Sequence, residues 1–334
     1  MTTRGIPGVR KARDALPVVA ITGAGGYLGS VLVGAFGAAG YAVRRLVRAP
    51  AAGSSDRFFD LRTAETAGAL DGVDVLVHCA YDMTLTRRAD IWQVNVFGTV
   101  ALLDQAVSAG VPRSLVVSSM SAYKGTRQLY GRSKLAVEVA ARARGMCVVR
   151  PGLVYGSSWG GMAGTLRRLT ALPVLPDFGR AARQFTVLQD DFASAMVALA
   201  GADSVPTVPV GIAHPEAVGF AQLLSAFAAD AGRPGPHFVP VPPMAAYGAL
   251  RALEVLRVGL PVRADSLLGL ARPAPEVPNS DVLARLGVAV RPFSLGRAGT
   301  ARTVGAAGTE ARGHGAGSVA DQAERLPVHE QRHP

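Results

Sequence analysis

The sequence predicts an α/β protein: a doubly wound parallel sheet with a smaller C-terminal substrate lobe interleaved with it. Three observations carry this. A β-branched run, Val18-Val-Ala-Ile-Thr22, leads into glycines spaced three apart, Gly23, Gly26 and Gly29, and then into an apolar helical stretch reaching Ala39. The run from Asp74 to Cys79 reads as a continuous apolar strand, as expected where both faces of a parallel sheet are covered. Two further strands, Leu115-Val-Val-Ser-Ser119 and Cys147-Val-Val-Arg150, end in polar residues at the carboxyl edge, where doubly wound sheets bind ligands.

In chain order, residues 1–16 carry Arg4, Arg10, Lys11 and Arg13 without an apolar stretch long enough for a signal peptide. They read as a disordered basic lead on a cytoplasmic chain. Residues 17–160 form the nucleotide-binding domain, its core completed by residues 183–212. In the first turn the glycines let the backbone approach a pyrophosphate, and the unpaired amides and dipole of the helix start favour the anion. Gly23, Gly26 and Gly29, with Tyr27 and Leu28 between them, are therefore candidate cofactor ligands.

The second strand, Gly40 to Val47, ends in Arg48-Ala49-Pro50. An NAD site normally has a carboxylate here to accept the ribose hydroxyls, yet none lies between Asp14 and Asp56. Arg48, joined by Arg44 or Arg45, suits a 2′-phosphate instead, which favours NADP(H) over NAD(H). The alternative is that these arginines merely replace lysine on the surface. After the fourth strand, Ala80 and Tyr81 line the cofactor cleft.

The centre of the chemistry is Leu129-Tyr-Gly-Arg-Ser-Lys134, eleven residues downstream of Ser119. A spacing of four on a helix puts the Tyr130 phenol and the Lys134 ammonium on one face, where the cation is expected to lower the tyrosine pKa toward neutrality. Tyrosine then serves as general acid or base. Only three of the 35 basic residues are lysine, Lys11, Lys124 and Lys134, so a compact ammonium at Lys134 stands out against the arginine background.

Residues 161–296 form mainly the substrate lobe. Gly160 to Leu169 reads as a helix over the active-site mouth. Asp190 or Asp191 reads as an N-cap, and Arg167, Arg168, Arg180 and Arg183 as solvated charges or as holders of a substrate anion. Ala217 to Asp230 and Pro243 to Leu260 read as helices. The second is very apolar, but Arg251, Glu254 and Arg257 rule out a membrane span. It is expected to cover the substrate pocket, with a peripheral membrane contact or a homodimer face as alternatives. The tail from residue 297 to 334, rich in Gly, Ala, Arg and Glu, reads as disordered.

Composition limits the partners. With 334 residues, 49% of them hydrophobic, the chain can bury a full core. A net charge of +11 would suit nucleic acid, but the arginines are scattered and aromatic content is 6%. The expected partner is a small-molecule substrate, with no nucleic acid and no integral membrane segment. Cys79 and Cys147 fall within predicted strands, and the histidines have no metal-ligand spacing, so no metal is expected.

Taken together, Thr22-Gly-x-x-Gly26-x-x-Gly29, Asp60-Leu61 after the third strand, Val75 to Ala80, Asn95-Val-Phe-Gly-Thr99, Ser118-Ser119, Tyr130-x-x-x-Lys134 and Arg150-Pro-Gly-Leu-Val-Tyr-Gly156 resemble the extended short-chain dehydrogenase/reductase superfamily, specifically its NAD-dependent epimerase/dehydratase family. The resemblance spans residues 17–293 and implies a Rossmann fold. It also implies hydride transfer at a nicotinamide, with Tyr130 exchanging the proton, Ser119 bonding the carbonyl oxygen and Lys134 binding the nicotinamide ribose. Asp60, Leu61, Asn95, Pro151, Gly152 and Val154 join the expected cofactor site.

Two points stay open at this level. An ungapped alignment makes Ser119 the active hydroxyl, with Ser121 as a second hydrogen bonder; sliding back from Gly125 would put Met120 there. Asn95 is either part of a proton relay or a local backbone hydrogen bonder. The short segment between Ser119 and Tyr130 and the Arg150-Pro-Gly form look more like members acting on small carbonyl compounds than like sugar-nucleotide enzymes. The alternatives are a nucleoside-diphosphate-sugar epimerase or ketoreductase, and a non-catalytic NADP(H)-binding regulatory or assembly protein.

Overall fold

Short apolar runs alternating with helical stretches leave few topologies open, and the chain adopts the doubly wound one. The structure, a computed structural model, describes residues 16–256, 258 and 262–295. Nearly all of the basic lead, Arg257, Leu260 and the tail beyond residue 295 lie outside the described residues.

The first half runs β1 (Val18–Thr22), α1 (Tyr27–Ala38), β2 (Ala42–Val47), β3 (Arg57–Phe58), β4 (Val75–His78), α2 (Arg88–Ile91), α3 (Gly98–Ser108), β5 (Arg113–Val117), α4 (Leu129–Ala143) and β6 (Cys147–Pro151). There follow β7 (Leu153–Tyr155), α5 (Gly161–Leu169), β8 (Val174–Asp177), β9 (Arg183–Gln184), β10 (Thr186–Leu188), α6 (Gln189–Gly201) and β11 (Val210–Ile212). The chain ends with β12 (Val218–Gly219), α7 (Phe220–Asp230), β13 (His237–Pro240), α8 (Pro243–Val255), α9 (Ala264–Ala271) and α10 (Asp281–Arg285).

Seven strands form one parallel sheet in the order β11-β6-β5-β4-β1-β2-β3. The winding reverses between β1 and β4, which opens a crevice at their carboxyl ends. Leu32 and Phe36 of α1 pack with Phe192 and Met196 of α6 on one face of the sheet. Leu102 and Leu103 of α3 pack with Val137 and Ala141 of α4 on the other. Each of the larger side chains among these, leucine, valine, phenylalanine or methionine, contributes roughly 1.5–3 kcal/mol of transfer free energy.

Two devices hold the crevice open at the right place. A Cβ on Gly29 would lie 2.1 Å from the Gly23 carbonyl oxygen, so only glycine lets α1 start this close to the turn. Behind the turn, buried His78 links three elements. The Thr99 hydroxyl donates to the Asn95 carbonyl at 2.7 Å and accepts from His78 Nε2 at 2.9 Å. Nδ1 then accepts from the Thr22 hydroxyl at 2.8 Å, whose oxygen in turn accepts the Cys79 and Ala80 amides. Burial, helped by the Lys134 charge, holds this imidazole down at about 3, so it is a neutral strut and not a titrating group.

The lobe packs α5, α7 and α9 around Tyr155, Leu166, Leu223 and Phe227. Two expectations need correction here. No residue of the helix beginning at Pro243 borders the pocket; the helix packs on the lobe core through Ala246, Tyr247 and Leu250. Its Glu254 accepts the Ala264 amide at 2.7 Å, so α8 anchors α9, and it is α9, together with α5 (by Gly161, Met162 and Thr165), that borders the pocket from the lobe. Asp191 is not an N-cap, since Leu188 holds that position without a side-chain bond; its buried carboxylate instead accepts the Arg291 backbone and guanidinium, tying the last described segment to α6. Among the described residues no helix is long and apolar enough to cross a membrane.

Candidate active site

The carboxyl edge of the sheet opens on a chamber of about 630 Å³. Gly23, Gly26, Tyr27, Leu28 and Gly29 form one end of it, and Tyr81, Pro151, Gly152 and Val154 the wall beyond. Ser119, Tyr130 and Lys134 line the same space. Arg48, Asp60, Leu61, Ala80 and Asn95 do not border it.

The strand end of β5 separates the two adjacent serines by the alternation of side chains. Ser118 points inward and donates to Glu138 at 2.5 Å. Glu138 also accepts both prongs of Arg150, at 2.8 and 2.6 Å, within the buried face of α4. Ser119 faces the chamber, accepts the Ser121 amide at 3.1 Å and stands close enough to the Tyr130 phenol to lower its pKa. Met120 is buried and offers no such group.

Helix α4 is pressed onto this loop. A Cβ on Gly131 would come within 2.2 Å of the Ser121 carbonyl oxygen, so glycine beside Tyr130 allows the phenol to reach Ser119. The helix has no local cap: Gln128, at its N-cap position, makes no side-chain bond to it. Asp265 of α9 takes that role across 135 residues of sequence, accepting the Leu129 amide at 2.7 Å and the Tyr130 amide at 3.2 Å. Arg263 clamps the facing loop by donating to the Met83 and Leu85 carbonyls. No sequence signal announces Asp265, because its partner is brought to it only by the fold. Asp265→Ala should cost about 1 kcal/mol of stability, the usual worth of a cap. It should also lower kcat about tenfold by releasing the first turn of α4, as thermal melts and steady-state rates on the purified variant would register.

The electrostatics correct the expected role of Lys134. Tyr130 is pushed up from its ordinary value, first by burial and then by Tyr81, and only Ser119 pulls it down. Tyr81 stands edge-on to it with ring centres 5.0 Å apart. The Lys134 ammonium lies 5.9 Å from the Tyr130 ring centre and donates to the Val117 carbonyl at 2.8 Å. Burial lowers that lysine to about 8. Desolvation therefore outweighs the cation, and the phenol is protonated at neutral pH.

Asn95 sits in a π-helical turn, Trp92–Phe97, and uses its whole carboxamide on the backbone of Asp82, accepting its amide at 2.7 Å and donating to its carbonyl at 3.1 Å. It shapes the loop that carries Tyr81. Arg48 is exposed at the end of β2, close enough to Asp82 to help Arg62 hold that carboxylate down against partial burial and alongside the Thr84 bonds. Arg44 donates to the Ala69 and Asp71 carbonyls, and Arg45 pairs with Asp56 at 3.4 Å. Arg167 pairs with Asp230, Arg168 bonds Thr165 and Arg183 bonds the Ala217 carbonyl, so these three are engaged elsewhere, and neither they nor Arg180 reaches the chamber. Among the described residues no cluster of His, Cys, Asp or Glu could hold a metal.

Comparison with known proteins identifies the family and the fold. The model of the NAD dependent epimerase/dehydratase family matches residues 19–208, more than half of the chain. A ceramide reductase of Caulobacter vibrioides is 33% identical over 197 residues, 56% of this chain and 62% of that protein. An uncharacterized protein of Sinorhizobium fredii, y4nG, is 28% identical over 170 residues, 44% of this chain and 42% of that one. The chain thus spans less than two thirds of the length of either relative. Two solved structures share the fold: gox2253, with a TM-score of 0.65 at 20% identity over 82% of this chain and 94% of that one, and MoeE5 in complex with UDP-glucuronic acid and NAD, with 0.62 at 21% identity over the same shares.

Proposed function

We propose that this chain, which belongs to the NAD dependent epimerase/dehydratase family, transfers hydride between NADP(H) and a carbonyl or secondary alcohol of a small organic substrate. The observation that carries the reading is the convergence of Ser119, Tyr130 and Lys134 on the wall of a chamber that begins at a glycine turn. Likeness to a ceramide reductase supports reduction of a carbonyl over sugar epimerisation.

The turn fits a dinucleotide: the start of α1 has no side-chain cap, and the close backbone contact at Gly29 leaves its first amides to an anion. Gly23 to Gly29 would hold the pyrophosphate, Lys134 the nicotinamide ribose and Arg48 the 2′-phosphate. Bound there, the nicotinamide supplies or accepts the hydride. Ser119 orients the carbonyl oxygen, and Tyr130 gives it a proton. The carbonyl π bond breaks as carbon gains hydride and oxygen gains the phenolic proton, leaving a secondary alcohol, the oxidised nucleotide and a Tyr130 phenolate that takes a proton back from solvent before the next turnover. Burial raises the phenol, which favours the protonated form that reduction uses.

The cofactor assignment is tested by Arg48→Ala. NADPH affinity should fall about tenfold, the loss of one charge-assisted bond to a phosphate, while NADH affinity changes little; equal losses for the two nucleotides would refute the contact. NADPH consumption with a panel of ketones tests the reaction itself, and its absence with every ketone would reject it.

A further inference from the structure

Among the described residues, two side chains that border the chamber carry a buried polar atom without a partner, Tyr27 at the glycine turn and Gln128 beside the catalytic tyrosine, and Gln128 is the one next to the reacting groups. Gln128 stands two residues before Tyr130, is only 7% exposed and borders the chamber, yet its Oε1 has no hydrogen-bond partner. An unpaired buried amide oxygen costs about 1–3 kcal/mol, and the local structure offers nothing in return: the helix end that a residue here would cap is already capped by Asp265. The opposite wall accommodates the group. A Cβ on Gly269 would lie 2.7 Å from Oε1, so glycine on α9 gives the carboxamide its room. The terminal torsion of glutamine is soft, and turning the amide costs little.

Most of the remaining wall is apolar, with Met83, Leu85, Met120, Met162, Phe185 and Leu270 facing the same space, and its other polar side chains, Thr86, Ser121, Thr165, Gln184 and Ser266, are uncharged. Its charges are committed. Lys134 donates to Val117, Arg263 to Met83 and Leu85, and Asp265 accepts two amides. Arg272, exposed at the rim, is the one guanidinium bordering the chamber beyond these. A diphosphate would find no buried cationic cradle on the substrate side, whereas a neutral body would lose little on leaving water.

We propose that Gln128 is a specificity residue that hydrogen-bonds a hydroxyl or amide group lying near the reacting carbonyl, and that the rest of the substrate is an apolar chain. This rests on the oxidoreductase reading above and names its substrate class: a neutral ketone with a neighbouring hydrogen-bonding substituent and an aliphatic body.

The test compares two ketones of equal chain length, a long-chain 3-oxoacyl amide and a long-chain methyl ketone, with the full-length protein and NADPH. The wild type should prefer the amide by about tenfold or more in kcat/KM, one well-made hydrogen bond. Gln128→Leu should bring the ratio near one, mainly through the KM for the amide, with NADPH affinity unchanged. Gly269→Ala, which leaves Gln128 in place but crowds its carboxamide, should erode the same ratio and guards against a folding defect in the first variant. Reduction of both ketones without preference, or a preference that survives both substitutions, would overturn the inference alone. Reduction of neither ketone, or turnover of UDP-glucose that Arg272→Ala abolishes, would overturn the oxidoreductase reading and the inference together.

Discussion

Tyr130→Phe should reduce turnover by about 10²–10⁴-fold, the range of a lost general acid, while leaving NADPH binding nearly intact. The phenyl ring keeps its edge contact with Tyr81 and the packing of α4 on the Ser121 loop. Only the hydroxyl beside Ser119 disappears. Survival of turnover in this variant would remove the tyrosine from the mechanism. A pH profile adds a second reading. Because the phenol is raised and Lys134 lies near 8, the lysine is the group that titrates in the working range. Below about pH 8 it is an ammonium able to hold a ribose, and above it the charge is lost. The rate of ketone reduction should therefore be flat near neutrality and fall above pH 8.

The next largest effect is expected at Glu138, a residue that touches neither chamber nor cofactor site. Its side chain is 4% exposed and that of Arg150 16%. Glu138→Ala would leave the guanidinium buried without a counter-charge and Ser118 without its acceptor, a loss of about 3–5 kcal/mol. Glu138 also raises Lys134, so its removal should move the alkaline limb of the pH profile to lower pH in whatever fraction folds. The double variant Glu138→Leu with Arg150→Met should regain much of the stability, because apolar side chains of similar volume replace the pair without its desolvation cost. It should not restore the pH limb. Chemical denaturation of the three proteins measures the first point, and rate profiles the second.

What could be read from the sequence is what depends on neighbours along the chain. The β-branched run before the glycines, the apolar fourth strand and the polar ends of β5 and β6 fix the sheet and the edge at which its ligands lie. They also bring Ser119, Tyr130 and Lys134 to one chamber. Contacts between distant segments were not legible. Asp265 caps α4 from the far lobe, and Gln128 is released by that contact. The direction of the Tyr130 shift is not legible for a related reason: residue spacing shows a cation one turn away, but not the Tyr81 ring against the phenol or the Val117 carbonyl that takes the lysine's hydrogen bond. The Pro243 helix was assigned to the pocket on its apolarity, whereas Glu254 fixes it as the support for α9.

The central claim is a dissociable NADP(H) site that serves a proton-donating tyrosine. Fluorescence titration of the full-length wild type and of Tyr130→Phe with NADPH and NADH addresses it most directly. Saturable, reversible binding that is tighter for NADPH, and retained when turnover is lost in Tyr130→Phe, is the predicted result; failure of both nucleotides to bind the wild type would contradict the account.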